Sequence, residues 1–236
     1  KFPQGLKWLS DTLHQMGLKV GIYSCAGTAT CCNYFAAFDP AHPDVGFDQI
    51  DANAYVSWGI DYLKHDWCNV PSEYTNEAGS KKLYVRMRDA LQNASAKTGR
   101  PIVFSLCNWG QYNVSQWGDT VGHLWRTGTD ITPTWSSILA NITSNSAGAQ
   151  YAKPGAWNDP DMMVLGRIGW GSDMRQTKLN PHEQMVHMTF WAILAAPLIL
   201  GCDLKAMDPF TFDLLTHEEI LAVHRLVFKQ IFCCRL

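Results

Sequence analysis

The apolar positions of the chain form short runs that alternate with longer segments of helical periodicity. Residues 4–16 carry one helical stripe that stops at Gly17 and is made of Leu6, Leu9, Leu13 and Met16. Further helices are predicted around 48–58 and across 77–97. The short runs are too brief for helices and predict buried strands: 18–24 (LKVGIYS), 59–67 (GIDYLKHDW), 101–107 (PIVFSLC), 123–126 (HLWR), 157–165 (WNDPDMMVL) and 196–201 (APLILG).

Apolar strands separated by helices are typical of parallel βα units. The polar residues that end or follow these strands are Tyr23, Asp66, Cys107-Asn108-Trp109, Arg126, Asp130 and Asp161. A (β/α)8 barrel gathers its active site at the carboxyl ends of its strands, so the pattern favours that fold. An open doubly wound sheet is the alternative, but it predicts a Gly-rich phosphate turn after the first strand, and 24–32 is not one. Six strands predict a barrel that lacks two, which we expect to precede Lys1.

Composition supports one large domain over residues 1–236, since 47% of the residues are hydrophobic and only 17% are charged. A net charge of −2 offers no electrostatic footprint for nucleic acid or an anionic membrane. The longest apolar run, 190–200, contains Pro197 and is too short for a membrane span of ~20 residues. Residues 1–3 look like a helix entrance and not like a secretion signal.

The aromatic content and the cysteine content each leave two alternatives open. Ten Trp and eight Tyr suit a neutral polyol ligand such as a sugar, and they equally suit ordinary core packing. The eight cysteines fit neither a zinc ribbon nor a small disulfide framework. One or two disulfides in an exported enzyme is one interpretation, and buried free thiols is the other.

Two carboxylates carry the candidate chemistry. Asp66 ends a strand two residues after Lys64, on the same side of the pleat, and a neighbouring cation favours the ionised form that a nucleophile requires. Asp130 follows Arg126 through a Gly-containing loop and could be a general acid, with Arg126 binding a substrate hydroxyl. The alternative for Asp66 is a structural ion pair with Lys64, and the alternative for Asp130 is a loop aspartate that forms a turn. Glycoside hydrolysis requires two carboxylates at one barrel mouth, but spacing along the chain does not separate retaining from inverting pairs.

The segment 157–163 is dense in side chains that can hydrogen-bond a polyol, namely Asn158, Asp159 and Asp161. Asp159-Pro160 predicts an extended turn, because the residue before proline is driven out of the helical region. No histidine lies near this segment, which disfavours metal binding. His65 faces away from Lys64 and Asp66 and is predicted to be packed and not catalytic.

These motifs resemble the α-galactosidase and α-N-acetylgalactosaminidase family of glycoside hydrolases over nearly the whole chain. The matching stretches are 17–31 (GLKVGIYS-x-AG-x-x-TC), 51–68 (DAxxYxxWGIDYLKHDWC), 105–110 (SLCNWG), 125–131 (WRTGTDI), 155–162 (GAWNDPDM) and 190–204 (FWAILAAPLILGCDL). The resemblance implies a retaining exo-glycosidase on a (β/α)8 barrel, acting on terminal α-galactosides. It implies a carbohydrate partner and neither cofactor nor metal, and it leaves a homo-oligomer of the full-length enzyme open.

The resemblance also implies residue roles. Asp66 matches the nucleophile and Asp130 the acid/base, so their carboxyl carbons are expected about 5–7 Å apart. Residues matching sugar contacts are Tyr23, Lys64, Asn108, Trp109, Arg126 and Asp161, and Cys31 with Cys68 matches a disulfide that borders the pocket. Asn108 and Gln111 stand where N-acetylgalactosamine-specific members carry small residues, which favours plain galactose.

The chain departs from the family in three places. The family's first two strands, with a wall tryptophan and an aspartate pair, have no counterpart in this chain. The rim of the site at 31–33 and 42–47 differs from the family's. A divergent stretch, 224–236, stands where the family continues into a β-sandwich. We therefore expect a fragment of the catalytic domain without the β-sandwich. The rivals are an α-N-acetylgalactosaminidase, a β-L-arabinopyranosidase and a sugar-binding remnant without turnover. A secreted, periplasmic or lysosome-like location is expected.

Overall fold

The computed structural model describes residues 2–169 and 173–226. The chain divides into two compact units, Lys1–Asn108 with Tyr112–Trp125, and Trp109–Gln111 with Arg126–Leu236. Cys233, Cys234 and most of the divergent stretch 224–236 lie outside the described residues.

Unit 1 alternates helices and strands as the sequence predicts. Its elements, in chain order, are α1 (Gly5–Gln15), β1 (Gly21–Cys25), α2 (Asp48–Trp58), β2 (Tyr62–Asp66), α3 (Glu77–Thr98), β3 (Val103–Cys107), α4 (Val114–Trp117) and the start of β4 (Leu124–Arg126). The strands pair in parallel, β1 with β2, β2 with β3 and β3 with β4. The prediction of parallel βα units is confirmed for these four strands.

Local chemistry sets the start of α3 and the end of α2. The Asn76 side chain accepts a hydrogen bond from the Gly79 N–H and caps the start of α3, which satisfies one of the free donors of a helix start. Helix α2 ends at Gly59, whose φ of 77° is the left-handed conformation that glycine adopts without a Cβ penalty. A Cβ there would also lie 2.7 Å from Ser10 Oγ, so glycine permits the close approach of α1.

Helix α1 forms as predicted, but its apolar stripe is only partly covered in the described structure. Its leucines, Leu6, Leu9 and Leu13, are half-buried, and Met16 is 68% exposed. The buried residue of α1 is Ser10, whose hydroxyl donates to the Gly59 carbonyl at 3.0 Å. The close contact between α1 and the end of α2 is therefore made by Ser10, a small polar residue, and not by the apolar stripe of α1.

In its described residues, unit 2 contains a hydrophobic core and mostly helical elements. These are α5 (Trp135–Ala147), β5 (Trp157–Asp159), β6 (Arg167–Ile168), β7 (Arg175–Gln176), α6 (Pro181–Ile193), α7 (Pro209–Leu215) and α8 (Glu218–His224). The core packs around the fully buried Trp191, with Ile138, Met163, Leu165 and Met188 among its members. Just past β4, the Thr127 N–H donates to the Asp159 carbonyl of β5 at 3.0 Å, so β5 continues the strand pairing.

Two of the predicted strands need correction. The run 157–165 is a strand only as far as Asp159, because Pro160 donates no hydrogen bond and Asp161 adopts a φ of 85°. The run 196–201 is not a regular strand: it makes a single parallel bridge, Met163 with Leu200. Its Ile199 N–H turns back to the carbonyl of Pro197, which interrupts extended pairing. The antiparallel pair β6–β7 was not predicted.

No helix within residues 2–169 and 173–226 combines the length and the apolar composition that crossing a bilayer requires. The longest of them, α3, has 22 residues but carries several charges along its length.

His65 is packed, as the sequence predicts. Its ring is fully buried in β2 and lies 5.9 Å from the ring centroids of both Tyr84 and Phe104. Burial lowers the pKa of His65 to about 3, so the imidazole is neutral in the folded chain at physiological pH. The unfolded chain binds a proton at this residue below pH ~6.5, and the folded chain does not.

Replacing His65 with Phe is expected to reduce the acid sensitivity of folding. Because the folded pKa is the lower one, the contribution of His65 to stability is present above pH ~6.5 and is lost as the pH falls toward 3. At pH 5 the loss is about 2 kcal/mol, from 1.4 kcal/mol for each pH unit. Urea unfolding at pH 7.5 and 5.0 measures it, and His65→Phe should show a drop smaller by that amount.

His182→Gln is the control, because it replaces an exposed histidine and removes no packed ring. Other buried titratable groups, such as His187, contribute equally to parent and variant and cancel in the comparison. Equal pH dependence in the parent and His65→Phe chains would contradict the assignment.

Candidate active site

The carboxyl end of β2 presents Asp66. The parallel register aligns Asp66 with Cys25 of β1 and with Cys107 of β3, so three strands end at the same level. Asp66 is 5% exposed, and its Oδ1 accepts a hydrogen bond from the Trp67 N–H at 2.8 Å. Its Oδ2 lies 3.6 Å from the Sγ of Cys31. One oxygen is therefore held by the backbone, and the other faces the loop that follows β1.

Tyr23 and Lys64 lie beside this carboxylate, as the sequence predicts. They are partners in the β1–β2 register, and the Lys64 Nζ is 5.9 Å from the centroid of the Tyr23 ring. Tyr23 is 40% exposed. Partial burial, together with the charge of Asp66, raises the pKa of Tyr23 well above its usual value. Its hydroxyl consequently keeps its proton and can donate a hydrogen bond.

The predicted disulfide between Cys31 and Cys68 is confirmed, with a Cα–Cα distance of 5.2 Å. Within the described residues the cysteines left free are Cys25, Cys32, Cys107 and Cys202. The disulfide therefore joins the loop after β1 to the end of β2 without involving the neighbouring thiols.

Asn69 is a residue of this site that the sequence analysis missed. Its φ of 53° is left-handed, and its amide donates to the carbonyls of Ala29 and Thr30 at 3.1 and 3.0 Å. Asparagine adopts this conformation more readily than most residues, and an Asn directly after Cys68 was the available signal. The amide fixes the loop after β1 against the loop after β2.

Asn108 and Trp109 follow β3. Asn108 is fully buried, and its amide donates to Ser80 Oγ on α3 at 3.3 Å. This bond directs the amide of Asn108 toward a helix of unit 1. Trp109 is half-buried and has a left-handed φ of 56°. The predicted role of Asn108 and Trp109 as sugar contacts stays a prediction.

In unit 2, a buried guanidinium organises the candidate residues. The side chain of Arg126 is 2% exposed, and its Nη2 lies 2.8 Å from Asp161 Oδ2 and 3.1 Å from Asp130 Oδ1. Asp130 itself is 76% exposed. Arg126 thus has a buried partner and an exposed one, and the exposed carboxylate is the one open to a ligand.

Asp161 is an anchor of this arrangement. Its Oδ2 accepts from the Ile131 N–H and its Oδ1 from the Met162 N–H, both at 2.8 Å. Its carbonyl accepts from the indole N–H of Trp191 at 2.8 Å. Two backbone donors and one guanidinium occupy a carboxylate that is 6% exposed. These contacts position Arg126, and the sugar contact that the resemblance implies for Asp161 stays a prediction.

The neighbouring polar residues of the segment 157–163 also serve the scaffold. Asn158 is fully buried and donates to the Gly148 carbonyl at 2.8 Å. Asp159 is buried, and its Oδ1 accepts from the Asp161 N–H at 2.8 Å. These contacts give both buried side chains a structural role, and their interpretation as polyol ligands stays a prediction.

The chain is similar to known α-galactosidases. The family model described as Alpha galactosidase A matches residues 1–225. Alpha-galactosidase 2 of Arabidopsis thaliana is 41% identical over 95% of this chain and 50% of its own length. The chain spans about half the length of the curated relatives it matches.

Solved structures agree with this likeness. The crystal structure of alpha-galactosidase I from Mortierella vinacea is 34% identical, with a TM-score of 0.82 over 94% of this chain and 56% of that one. The structure of an α-galactosidase from Saccharomyces cerevisiae with raffinose is 26% identical, with a TM-score of 0.80 over 96% of this chain and 51% of that one. The predicted fold class, an incomplete (β/α)8 barrel, is confirmed. The spacing of the Asp66 and Asp130 carboxyl groups, which belong to different units, stays a prediction.

Replacing Asp161 with Asn is expected to lower the free energy of unfolding by ~3 kcal/mol or more, because the change removes the buried charge that neutralises Arg126. The matched control is Asp173→Asn, which removes the partner of the half-exposed Arg175. That pair is in solvent, so its loss should cost less than ~1 kcal/mol. Urea unfolding measures both, and equally small effects would contradict the anchor role of Asp161.

Proposed function

This chain belongs to the alpha-galactosidase A family, and from that premise we propose that it is part of the catalytic barrel of a retaining exo-glycosidase. The proposed reaction is the hydrolysis of terminal α-D-galactosyl residues of oligosaccharides or glycoconjugates. The observation that carries the proposal is Asp66, at the end of a parallel strand, with one oxygen fixed by the Trp67 N–H and with Tyr23 and Lys64 alongside.

Asp66 is the proposed nucleophile. Its carboxylate would attack the anomeric carbon of the sugar, form a covalent glycosyl-enzyme and release the leaving oxygen. The hydrogen bond from the Trp67 N–H holds one oxygen in place, which limits the rotation of the carboxylate. Tyr23, whose hydroxyl keeps its proton, and Lys64 offer donors for the ring hydroxyl groups.

Asp130 is the proposed acid/base. It would protonate the leaving oxygen in the first step and accept a proton from water in the second. Its exposure suits a group that must meet both the leaving group and water. Arg126, which is paired with Asp161, also binds Asp130 Oδ1 and leaves Asp130 Oδ2 for proton transfer.

The substrate class follows from the named relatives. The curated relatives are α-galactosidases, and the Saccharomyces cerevisiae structure is described with raffinose. We propose a terminal α-galactoside as the carbohydrate partner, recognised in part by Trp109 and Asn108. The specificity for galactose over N-acetylgalactosamine rests on the size of Asn108 and Gln111 and belongs to the same proposal.

Turnover of aryl α-galactosides tests the proposal. Asp66→Asn should abolish turnover of an activated aryl α-galactoside, because no covalent intermediate forms without the carboxylate. Asp130→Asn should slow substrates with poor leaving groups by ~10²–10⁴-fold and should affect activated ones much less, since those need little protonation. Product NMR should detect α-galactose first, as retention requires.

The exposed Asp213→Asn on α7 is the control carboxylate change and should leave turnover unaltered. Full activity in Asp66→Asn, or β-galactose as the first product, would rule out the proposed mechanism. Faster turnover of an aryl β-L-arabinopyranoside or an aryl α-N-acetylgalactosaminide would keep the mechanism and replace the substrate.

The open edge of β1 yields a test of chain length. In the described residues of unit 1, β1 pairs with β2 and with no other strand, so its other side is a sheet edge. We expect the 236-residue chain to associate and to turn over little substrate. Extending the chain upstream by the ~60 residues that two βα units need, at ~30 residues for each unit, should restore activity. A monomeric and fully active 236-residue chain would contradict this expectation.

A further inference from the structure

Three atoms of kinds that can bind a metal ion lie close together at the carboxyl end of β2. The Sγ atoms of Cys31 and Cys68 and a carboxylate oxygen of Asp66 all lie within 4.8 Å of one another. The two sulfurs are joined as a disulfide, with Cys31 exposed and Cys68 half-buried. An exposed disulfide is open to attack by small thiols, and its reduction would leave two thiols beside a carboxylate.

The spacing of the sulfur and the carboxylate fits one metal ion. Zinc binds thiolate sulfur at ~2.3 Å and carboxylate oxygen at ~2.0–2.2 Å, so two such ligands at a tetrahedral angle lie ~3.6 Å apart. The Cys31 Sγ lies 3.6 Å from Asp66 Oδ2. After reduction the two sulfurs need to separate only to ~3.8 Å to complete the same geometry, which side-chain rotation alone permits.

Hydrogen bonds hold the two loops together independently of the disulfide. The Asn69 amide donates to the carbonyls of Ala29 and Thr30, and the Thr28 N–H donates to the Asn69 carbonyl at 3.1 Å. Gly27 packs so closely that a Cβ there would lie 2.1 Å from the Cys68 carbonyl. Opening the disulfide therefore leaves Cys31 beside Cys68 and Asp66.

The surrounding groups define which atoms take part. The thiol of the buried Cys25 donates to the Cys68 carbonyl at 3.0 Å, so it is held by the backbone and is not part of the cluster. The Tyr23 hydroxyl lies 3.3 Å from the Cys31 Sγ and would donate to the thiolate. The donor set is therefore two thiolates and one carboxylate, with a fourth position left for water.

We propose that Cys31, Cys68 and Asp66 form a latent site for a thiophilic divalent cation, with Zn²⁺ as its representative, which opens when the disulfide is reduced. A dithiol such as dithiothreitol transfers two electrons and two protons to the disulfide, giving two cysteine thiols and the oxidised cyclic dithiol. The cation then binds both sulfurs and the Asp66 carboxylate, and it displaces the two thiol protons into solvent. Binding is consequently favoured by higher pH.

The site would also regulate turnover, and this consequence alone rests on the proposed function. A cation bound to Asp66 withdraws the carboxylate that would attack the sugar. Oxidised enzyme would be insensitive to low concentrations of Zn²⁺, and reduced enzyme would be inhibited until a chelator removes the metal.

The test measures metal binding directly. The test uses the chain with Cys233→Ser and Cys234→Ser, which removes two consecutive cysteines that lie outside the described residues. This chain is reduced with dithiothreitol, separated from the reductant under anaerobic conditions and titrated with Co²⁺. One equivalent should give a thiolate-to-cobalt charge-transfer band, and one equivalent of Zn²⁺ should displace it. The oxidised chain should give no band, Cys31→Ser should abolish it, and Asp66→Asn should weaken binding at least ~tenfold.

Cys32→Ser is the matched control, because Cys32 is exposed and adjacent to Cys31 but is not part of the cluster, and it should keep one full equivalent. A band that persists in Cys31→Ser or disappears in Cys32→Ser would overturn the proposal. So would unfolding of the chain on reduction, seen as a loss of its far-ultraviolet circular dichroism, since the loops must stay in place.

An activity arm on the upstream-extended chain separates the two proposals. Zn²⁺ should inhibit it only after reduction, with recovery on chelation. An extended chain that binds one Co²⁺ but never turns over substrate would refute the proposed function and keep the metal site. An active chain that binds no Co²⁺ after reduction would refute the metal site and keep the proposed function.

Discussion

The in-register parallel pairing of β1, β2 and β3 is the constraint on which the site of unit 1 depends. Parallel strands that begin and end together bring their carboxyl ends to one level, and here Cys25, Asp66 and Cys107 are partners at that level. The loops that leave these strands then lie side by side. A register shift of one residue would turn Asp66 to the other face of the sheet, where His65 is packed between aromatic rings.

In unit 2, the equivalent constraint is the cost of burying a charge. Arg126 is almost completely removed from water, and a buried guanidinium is tolerated only with a compensating carboxylate and further hydrogen bonds. Asp161 supplies that carboxylate, and two backbone N–H groups hold it in position. Its left-handed backbone, directly after Pro160, aims the side chain at Arg126. The exposed Asp130 is thereby given a fixed neighbour.

The disulfide connects covalent chemistry to the candidate nucleophile. Cys31 and Cys68 tie the loops after β1 and β2 together, and the sulfur of Cys31 is among the nearest neighbours of Asp66. Asn69, Gly27 and Thr28 hold the same loops by hydrogen bonds and close packing. The two loops are therefore attached to each other both by a covalent bond and by non-covalent contacts.

The sequence by itself determined α1, α2, α3, the strands β1 to β4 and the position of Asp66 at a strand end, since these follow from local periodicity. It also identified Cys31 with Cys68, through the family resemblance. Local pattern failed where the outcome depends on residues distant in the chain. The run 196–201 is apolar enough for a strand, yet pairing requires a partner edge, and only Leu200 makes a bridge.

Only the tertiary structure decided what each polar side chain binds. Asn108 reaches Ser80 on α3, Asn158 reaches the carbonyl of Gly148, and Asp161 is saturated by donors about 30 residues earlier and by its own neighbour. A sequence shows that such residues can donate or accept hydrogen bonds. Burial and partner are set by the packing of separate elements, because a polar group removed from water must find whatever partner the fold brings to it.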